Sequence, residues 1–218
     1  HAVLQLRSAA GDWDGALDVI ERARKAGTLD KAAHRRQRAV LLTAQALSLE
    51  QSHRDRSKAL ALEAVKLAPD LVPAAALAGR FLAEAGELRK AQAIIEKAWQ
   101  AHPHPDLAEA YANLRFGDSA RERLARARTL AGKRPDDAEG ALALARAAID
   151  AREFAVAREA LAPLLAHQTR RVAILMAEIE DREHGDQGRA REWMRRALRA
   201  AHDPAWIADG VAFEQWLP

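Results

Sequence analysis

Histidines are the first side chains to test for chemistry, because a cluster of them could bind a metal ion or haem. The sequence contains eight, and two near neighbours, His102 and His104, lie in the motif "HPHP". The prolines predict a turn there, and a spacing of two residues does not place both imidazoles on one face of a helix. Five others are scattered near predicted helix ends: His34, His53, His167, His184 and His202. The histidines therefore predict no metal site, and they form no haem ligand set.

Acidic residues also occur in pairs, but without the setting that acid–base catalysis needs. Asp136 and Asp137, and likewise Asp181 and Glu183, have the character of helix-start and surface carboxylates. Catalysis would require them in a pocket that perturbs their pKa values. No Ser/His/Asp arrangement is supported by the spacing, and the glycines of "HGDQGRA", which begins at His184, follow a helix rather than a strand. The sequence predicts that the protein is not an enzyme and has no cofactor.

A run of arginines forms a basic stripe on the predicted helix 189–199. At 100° per residue, Trp193, Met194 and Leu198 share one face with two alanines. Five arginines lie on the opposite face, with only Glu192 among them: Arg189, Arg191, Arg195, Arg196 and Arg199. Two interpretations stay open, a solvated outer face and a contact with anionic lipid headgroups.

The overall charge of the chain does not favour nucleic acid as a partner. Lys and Arg number 34 against 31 Asp and Glu, so the formal net charge is only +3. So small an excess does not imply strong phosphate binding. The chain has no cysteine, which excludes disulfides and thiolate metal sites. No apolar run approaches the roughly 18 residues that a membrane span needs.

The elements that position these side chains are predicted to be helices throughout. Alanine, leucine and arginine dominate, apolar residues recur three and four positions apart, and no stretch predicts a strand. Short interruptions with helix-stop or capping residues separate the helices, as in "AGDWDGA" and "AGELRKA". One repeat unit ends at Pro69, and the helix that precedes it, over about 31–52, is predicted to be long and charged.

Small residues recur at fixed distances, which indicates a repeat. In "AGRFLAEAGELRKAQAIIEKAWQAHP", the steps between Gly79, Gly86, Ala91, Ala98 and Pro103 are 7, 5, 7 and 5 residues. Gly86 would break the chain between two paired helices and Pro103 would end the second. Elsewhere in the chain, equivalent small residues such as Ala157 and Ala190 are 33 residues apart. Four alanines are therefore expected to be buried at helix crossings: Ala91, Ala98, Ala157 and Ala190.

These residues resemble the tetratricopeptide repeat. The match is fullest over 72–103, and partial units surround Trp13, Phe154 and Gly185. The resemblance implies an all-α fold, a right-handed superhelix of about six tetratricopeptide-like helical hairpins, and a function in binding other proteins.

The resemblance also implies a partner-binding groove, because the first helix of each hairpin lines the concave face in that family. The matching positions are Arg80, Leu107, Tyr111, Arg115, Leu142, Arg146, Ile149, Leu175, Ile179 and Arg182. Such a lining would suit an extended acidic and apolar peptide. The alternative is that Arg146 pairs with Asp150, and Arg182 with Glu178, as ordinary surface ion pairs within one helix.

The end of the chain narrows the resemblance. We expect the repeats to cover 1–204 and a distinct segment, 205–218, to cap the last hairpin with Trp206 and Trp216. Its motif "DPAWIADGVAFEQWLP" is similar to the ends of HemY-type tetratricopeptide proteins of bacteria. That similarity implies an interaction scaffold on the cytoplasmic side of the inner membrane, tethered by a preceding helix and serving late haem biosynthesis. Two alternatives are a porphyrin or haem carrier and a membrane-surface scaffold for envelope assembly.

Overall fold

The computed structural model describes residues 2–203, 206–208, 211–213 and 216. In these residues the chain forms twelve α-helices: α1 (Ala2–Ala9), α2 (Trp13–Lys25), α3 (Lys31–Leu49), α4 (Arg54–Leu67), α5 (Val72–Glu84), α6 (Leu88–Ala101), α7 (Pro105–Ala112), α8 (Ala120–Ala131), α9 (Ala138–Asp150), α10 (Phe154–Leu161), α11 (Arg170–His184) and α12 (Gln187–Ala197). A 3-10 turn, Ala162–His167, follows α10. Two short strands, β1 (Trp206–Ala208) and β2 (Val211–Phe213), pair antiparallel.

Successive helices pair into six hairpins. α1 packs against α2, and the same holds for α3 with α4, α5 with α6, α7 with α8, α9 with α10 and α11 with α12. Some consecutive hairpins also touch, through α2 with α3, α4 with α5, α8 with α9, and α10 with α11. The prediction of an all-α fold built from about six tetratricopeptide-like hairpins is confirmed.

The contacts divide the chain into two compact units. The first contains His1–His102 and Trp206–Pro218, and the second contains Pro103–Ala205. Each unit therefore holds three hairpins. The prediction of one array over 1–204 followed by a separate segment, 205–218, stays a prediction.

The turns form where glycine and proline predict them. α5 ends at Glu84, and Gly86 then adopts a φ of 75°, in the left-handed region that favours glycine. α6 ends at Ala101, two residues before Pro103, which has no N–H to continue a helix. α3 lies between a capping Asp30, whose carboxylate accepts from two backbone N–H groups, and Leu49. The long charged helix predicted in this region is confirmed.

Small residues lie at the helix crossings, as predicted, with one exception. Ala91, Ala98 and Ala157 are fully buried. Ala190 is only partly buried, which corrects the prediction for that position. The reason is its helix: α12 packs chiefly on α11, and Ala197 alone is buried along its length. An alanine at a repeat position is covered only where a second layer of helices lies over it.

The strand pair at the end of the chain corrects the expectation of no strand. β1 and β2 join residues 206 to 213 and 208 to 211. Their sequences, "WIA" and "VAF", are rich in β-formers, but three residues are too few to show a periodic pattern. Trp206 and Trp216, which are expected to cap the last hairpin, are described, but part of the segment around them, 205–218, lies outside the described residues. The capping stays a prediction, and the contacts assign this segment to the first unit.

In the described part of the chain, no helix combines the length and the apolar character that crossing a bilayer requires.

Candidate functional site

The six apolar side chains predicted to line the groove are buried: Leu107, Tyr111, Leu142, Ile149, Leu175 and Ile179. At 0–6% exposure they hold the hairpins of the second unit together, and burial of such a side chain stabilises a fold by about 1.5–3 kcal/mol. A partner could not touch them without opening that packing. Their assignment to a groove surface is therefore corrected for all except Leu142, which also borders the groove described below.

The four predicted groove arginines are exposed or half-buried, but three of them are already paired. Arg80, in the first unit, places Nη2 2.9 Å from Glu50 Oε1. In the second unit Arg146 and Arg182 share one carboxylate, and Arg115 lies exposed in the loop after α7. Whether any of them contacts a partner stays a prediction.

The shared carboxylate is that of Glu178 on α11. Arg146 on α9 donates to both of its oxygens, at 2.9 and 2.5 Å, and Arg182 lies 2.7 Å from Oε1. The hydrogen bonds from Arg146 lower the pKa of Glu178. The predicted pair of Arg182 with Glu178 is present, but Asp150 is only a distant partner of Arg146, at 3.8 Å.

A second pair joins the same two helices. Arg171 on α11 donates to both carboxylate oxygens of Glu139 on α9, at 2.6 and 2.8 Å. Each pair links residues 32 apart, which is close to the repeat period. A search for opposite charges 32 residues apart would have found both pairs, whereas a search within single helices finds Arg182 with Glu178 and the longer contact of Arg146 with Asp150.

A groove with a volume of about 320 Å³ opens on the second unit between α7, α8 and α9. Five alanines and three larger apolar residues form its floor: Ala108, Ala112, Ala127, Ala143, Ala147, Pro105, Leu130 and Leu142. Polar and charged side chains surround them: Glu109, Asn113, Arg123, Glu139, Arg146, Asp150 and Arg171. The volume is at the lower end of the range of about 300–1,000 Å³ for ligand pockets.

His104 caps the first helix of this groove. Its Nδ1 accepts a hydrogen bond from the backbone N–H of Asp106, at 3.2 Å, so the imidazole is neutral in the folded protein. Burial lowers the pKa of His104 below its ordinary value of 6.5, while the carboxylates of Asp106 and Glu139 oppose that shift.

Acid is expected to destabilise the protein through this histidine. The unfolded chain takes up a proton at the ordinary pKa, and the folded one only at lower pH, so stability present above pH 6.5 falls as the pH drops through that value. Urea unfolding of the parent and of His104→Asn, at neutral pH and at about pH 5, measures this contribution. Asparagine keeps the cap without titrating, so the parent should lose more stability. Equal losses would show that His104 is not responsible.

The other histidines form no cluster. Among the described residues, no group of three or more His, Asp or Glu is close enough to hold a metal ion. His34 is buried on α3 with Nε2 3.0 Å from Glu21 Oε2, and His102 lies 3.9 Å from Asp70.

The predicted basic stripe is exposed on α12. All five arginines are on the surface, and Arg196 stacks 4.6 Å from the ring centre of Trp193. Glu192 pairs with Arg195 at 2.7 Å, which reduces the net charge of the stripe. Met194 and Leu198 are 47% and 78% exposed, so part of the predicted apolar face is also in solvent.

Comparison with known proteins gives one relative in sequence. The chain is 34% identical over 211 residues to the "Probable magnetosome protein Mms48" of Magnetospirillum gryphiswaldense. The aligned part covers 95% of this chain and 47% of that protein, so the chain spans about half the length of the curated relative it matches. No family model matches the chain.

A solved structure is similar in outline. The crystal structure of a tetratricopeptide repeat protein from Parabacteroides merdae aligns with 93% of this chain and 77% of its own, at 14% identity and a TM-score of 0.48. The fold assignment rests on the hairpins themselves, not on this similarity. The HemY-type resemblance and the link to haem find no support in these comparisons.

Proposed function

We propose that the protein is a non-catalytic interaction scaffold whose second unit binds an apolar segment of a partner protein. The observation that carries the proposal is the groove between α7, α8 and α9, where an apolar floor is bordered by charges. Protein interfaces commonly have this arrangement, with an apolar centre and a polar rim.

The floor suits close contact because it is made largely of alanine. Ala108, Ala112 and Ala143 are partly exposed, and they come from two different helices. Small side chains allow a partner backbone to approach, so that larger apolar side chains of the partner supply the buried area. The volume of the groove allows only a few such side chains, which favours a short segment over a whole domain.

The rim argues against an acidic peptide. Arg146 and Arg171 are each held by two hydrogen bonds to a carboxylate of the protein itself. An acidic ligand would have to displace Glu178 from Arg146 or Glu139 from Arg171, and the displaced carboxylate would lose both of those hydrogen bonds. We therefore propose an apolar segment with uncharged or mixed flanks, in place of the acidic and apolar peptide that the sequence predicts.

The cellular role is a finer proposal. The similarity of the final segment to HemY-type proteins supports a scaffold for late haem biosynthesis at the cytoplasmic face of the inner membrane. The relative Mms48 supports a second candidate, a role connected with magnetosomes. A haem carrier is the least favoured alternative, because no histidine lines the groove and two of its arginines are in bidentate pairs.

A site-directed crosslinking experiment tests the groove. The chain has no cysteine, so Ala143→Cys carries a photo-reactive maleimide at one position only. Ala155→Cys is the matched control, since Ala155 is exposed on α10 and does not line the groove. Partners should crosslink from position 143 and not from position 155.

Filling the groove gives the decisive control. Ala143→Trp should occupy it and abolish capture of those partners, whereas Ala155→Trp should leave capture unchanged, with both variants folded by circular dichroism. Capture that survives Ala143→Trp would rule out the groove as the binding site. A haemin titration distinguishes the haem carrier from the scaffold. A shift of the Soret band that disappears in Ala143→Trp would favour the haem carrier and rule against the scaffold.

A further inference from the structure

One large apolar side chain of the second unit, that of Phe116, is exposed to solvent and is not packed into the core. Phe116 is fully exposed, although phenylalanine is among the residues most often buried. It belongs to the α7–α8 loop, residues 113–119, just beyond the groove-lining helix α7. Folding leaves the whole phenyl group available for contact with something outside the chain.

The α7–α8 loop is held by hydrogen bonds on both sides of Phe116. Leu114 is buried before it, and Gly117 after it takes a φ of 84°, which turns the chain. The side chain of Arg126 donates to the carbonyl of Ala112 at 3.1 Å and pairs with the carboxylate of Asp118. Phe116 is therefore presented by an ordered backbone, so binding would not have to order the loop first.

Further hydrogen bonds fix the end of the loop to α8. Arg123 Nη1 donates to the carbonyl of Asp118 at 2.7 Å. Ser119 and Glu122 form a reciprocal capping box at the start of the helix. Both acidic residues of this region, Asp118 and Glu122, are thus engaged within the protein.

Positive charge is concentrated around Phe116. Residues 113–128 contain five arginines and two carboxylates, an excess equal to the formal +3 of the entire chain. Arg115, Arg121 and Arg128 are exposed, and the contact of Arg121 with Glu153 is long, at 3.8 Å. Hydrogen bonds with Ser119, and to a smaller extent the charge of Arg115, lower the pKa of Glu122 in the first turn of α8.

We propose that the α7–α8 loop and the exposed face of α8 bind an anionic lipid surface. Phe116 inserts at the level of the headgroups, and Arg115, Arg121 and Arg128 contact lipid phosphates. A protruding aromatic ring among cations fits a soft negatively charged surface, which closes around the ring without a preformed pocket. Phe116, Arg115, Arg121 and Arg128 do not line the proposed peptide groove, so substitutions at these positions test the lipid site and leave the groove lining intact.

Sedimentation with vesicles tests the proposal on the full chain. The protein is expected to bind vesicles of equal parts phosphatidylglycerol and phosphatidylcholine. Binding should weaken strongly in high salt, or when the vesicles contain phosphatidylcholine alone. Phe116→Ser should weaken binding by about tenfold. Arg115→Gln should weaken it by about fivefold at low salt, as expected for loss of one charge near the surface.

The matched control is Leu198→Ser, because Leu198 is also exposed among arginines, immediately after α12. It should leave vesicle binding unchanged. A polarity-sensitive dye on Phe116→Cys, the single cysteine of that variant, should report transfer from water into lipid. Loss of binding with Leu198→Ser alone, or a dye signal unaltered by bound vesicles, would overturn the proposal. So would a Phe116→Ser variant that binds vesicles normally but loses a protein partner.

Discussion

Arg158→Met is expected to lower the free energy of unfolding by about 3–5 kcal/mol, because it leaves a buried carboxylate without its partner. That carboxylate belongs to Glu180, whose side chain is 4% exposed on α11. Arg158 on α10 donates to it at 2.8 Å and to the more exposed Glu183 at 2.7 Å. Arg189 lies farther away, at 3.8 Å from the second oxygen. For a chain of this size, thermal unfolding should shift down by about 10 °C.

The double variant Arg158→Met, Glu180→Met tests the cause. Replacing a buried ion pair by apolar residues of similar volume is often close to neutral, so the double variant should recover most of the loss. Arg191→Met is the matched control, since Arg191 is exposed on α12 and its Nη2 donates to the uncharged Gln187 side chain at 3.0 Å. If the single variant is as stable as Arg191→Met, Glu180 does not depend on Arg158.

Gly79→Leu is expected to lower the free energy of unfolding by about 3 kcal/mol through overpacking. A β-carbon at Gly79 would lie 2.6 Å from Cδ1 and 2.8 Å from Cγ1 of Ile95, which is fully buried on α6. Both distances are well inside van der Waals contact, so α5 and α6 would have to separate. Urea unfolding followed by circular dichroism measures the loss.

Gly188→Leu separates overpacking from the general effect of replacing a helical glycine. Gly188 is exposed in the first turn of α12, where an added β-carbon meets only Asp186, at 3.3 Å. This variant should change stability by less than about 0.5 kcal/mol. Ile95→Ala should also cost less when Gly79→Leu is present, since the cavity is then filled. Additive losses would contradict a direct contact between the two positions.

The hairpins could be predicted because their signals are local. Gly86 and Gly185 supply the positive φ that a sharp turn needs, and Pro103 stops a helix wherever it falls. The crossing at Gly79 could be predicted for a related reason, since small residues one repeat apart indicate close helices. These features depend on a few neighbouring residues, so distant parts of the chain do not alter them.

The groove could not be predicted residue by residue, because helical periodicity separates faces only coarsely. Leu142, Arg146 and Ile149 lie on one side of α9, yet Ile149 is in the core while Arg146 is at the groove. A rotation of about one residue, 100°, decides between the two environments. The alanine floor was missed for another reason, since alanine is equally common at buried crossings and carries no signal of its own.

The partners of the arginines could not be predicted from local sequence patterns either. The intrahelical alternative identified Arg182 with Glu178 correctly, but it assigned Arg146 to Asp150, which is the longer contact. The stronger pair crosses to the next hairpin, and its geometry depends on how α9 and α11 pack. Buried Glu180 is hidden for the same reason, since its sequence neighbours are those of an ordinary surface helix.

The two pairs that join α9 and α11 have opposite polarity, and this fixes how far the helices can slide. On α9 the acid Glu139 precedes Arg146 by seven residues, and on α11 Arg171 precedes the acid Glu178 by the same interval. A slip of two helical turns, about 10 Å, would oppose either two arginines or two glutamates. Repetitive sequences are prone to such misaligned stacking because their apolar faces are nearly interchangeable. In the second unit, repulsion between like charges would destabilise the shifted arrangement while the hairpins are still assembling.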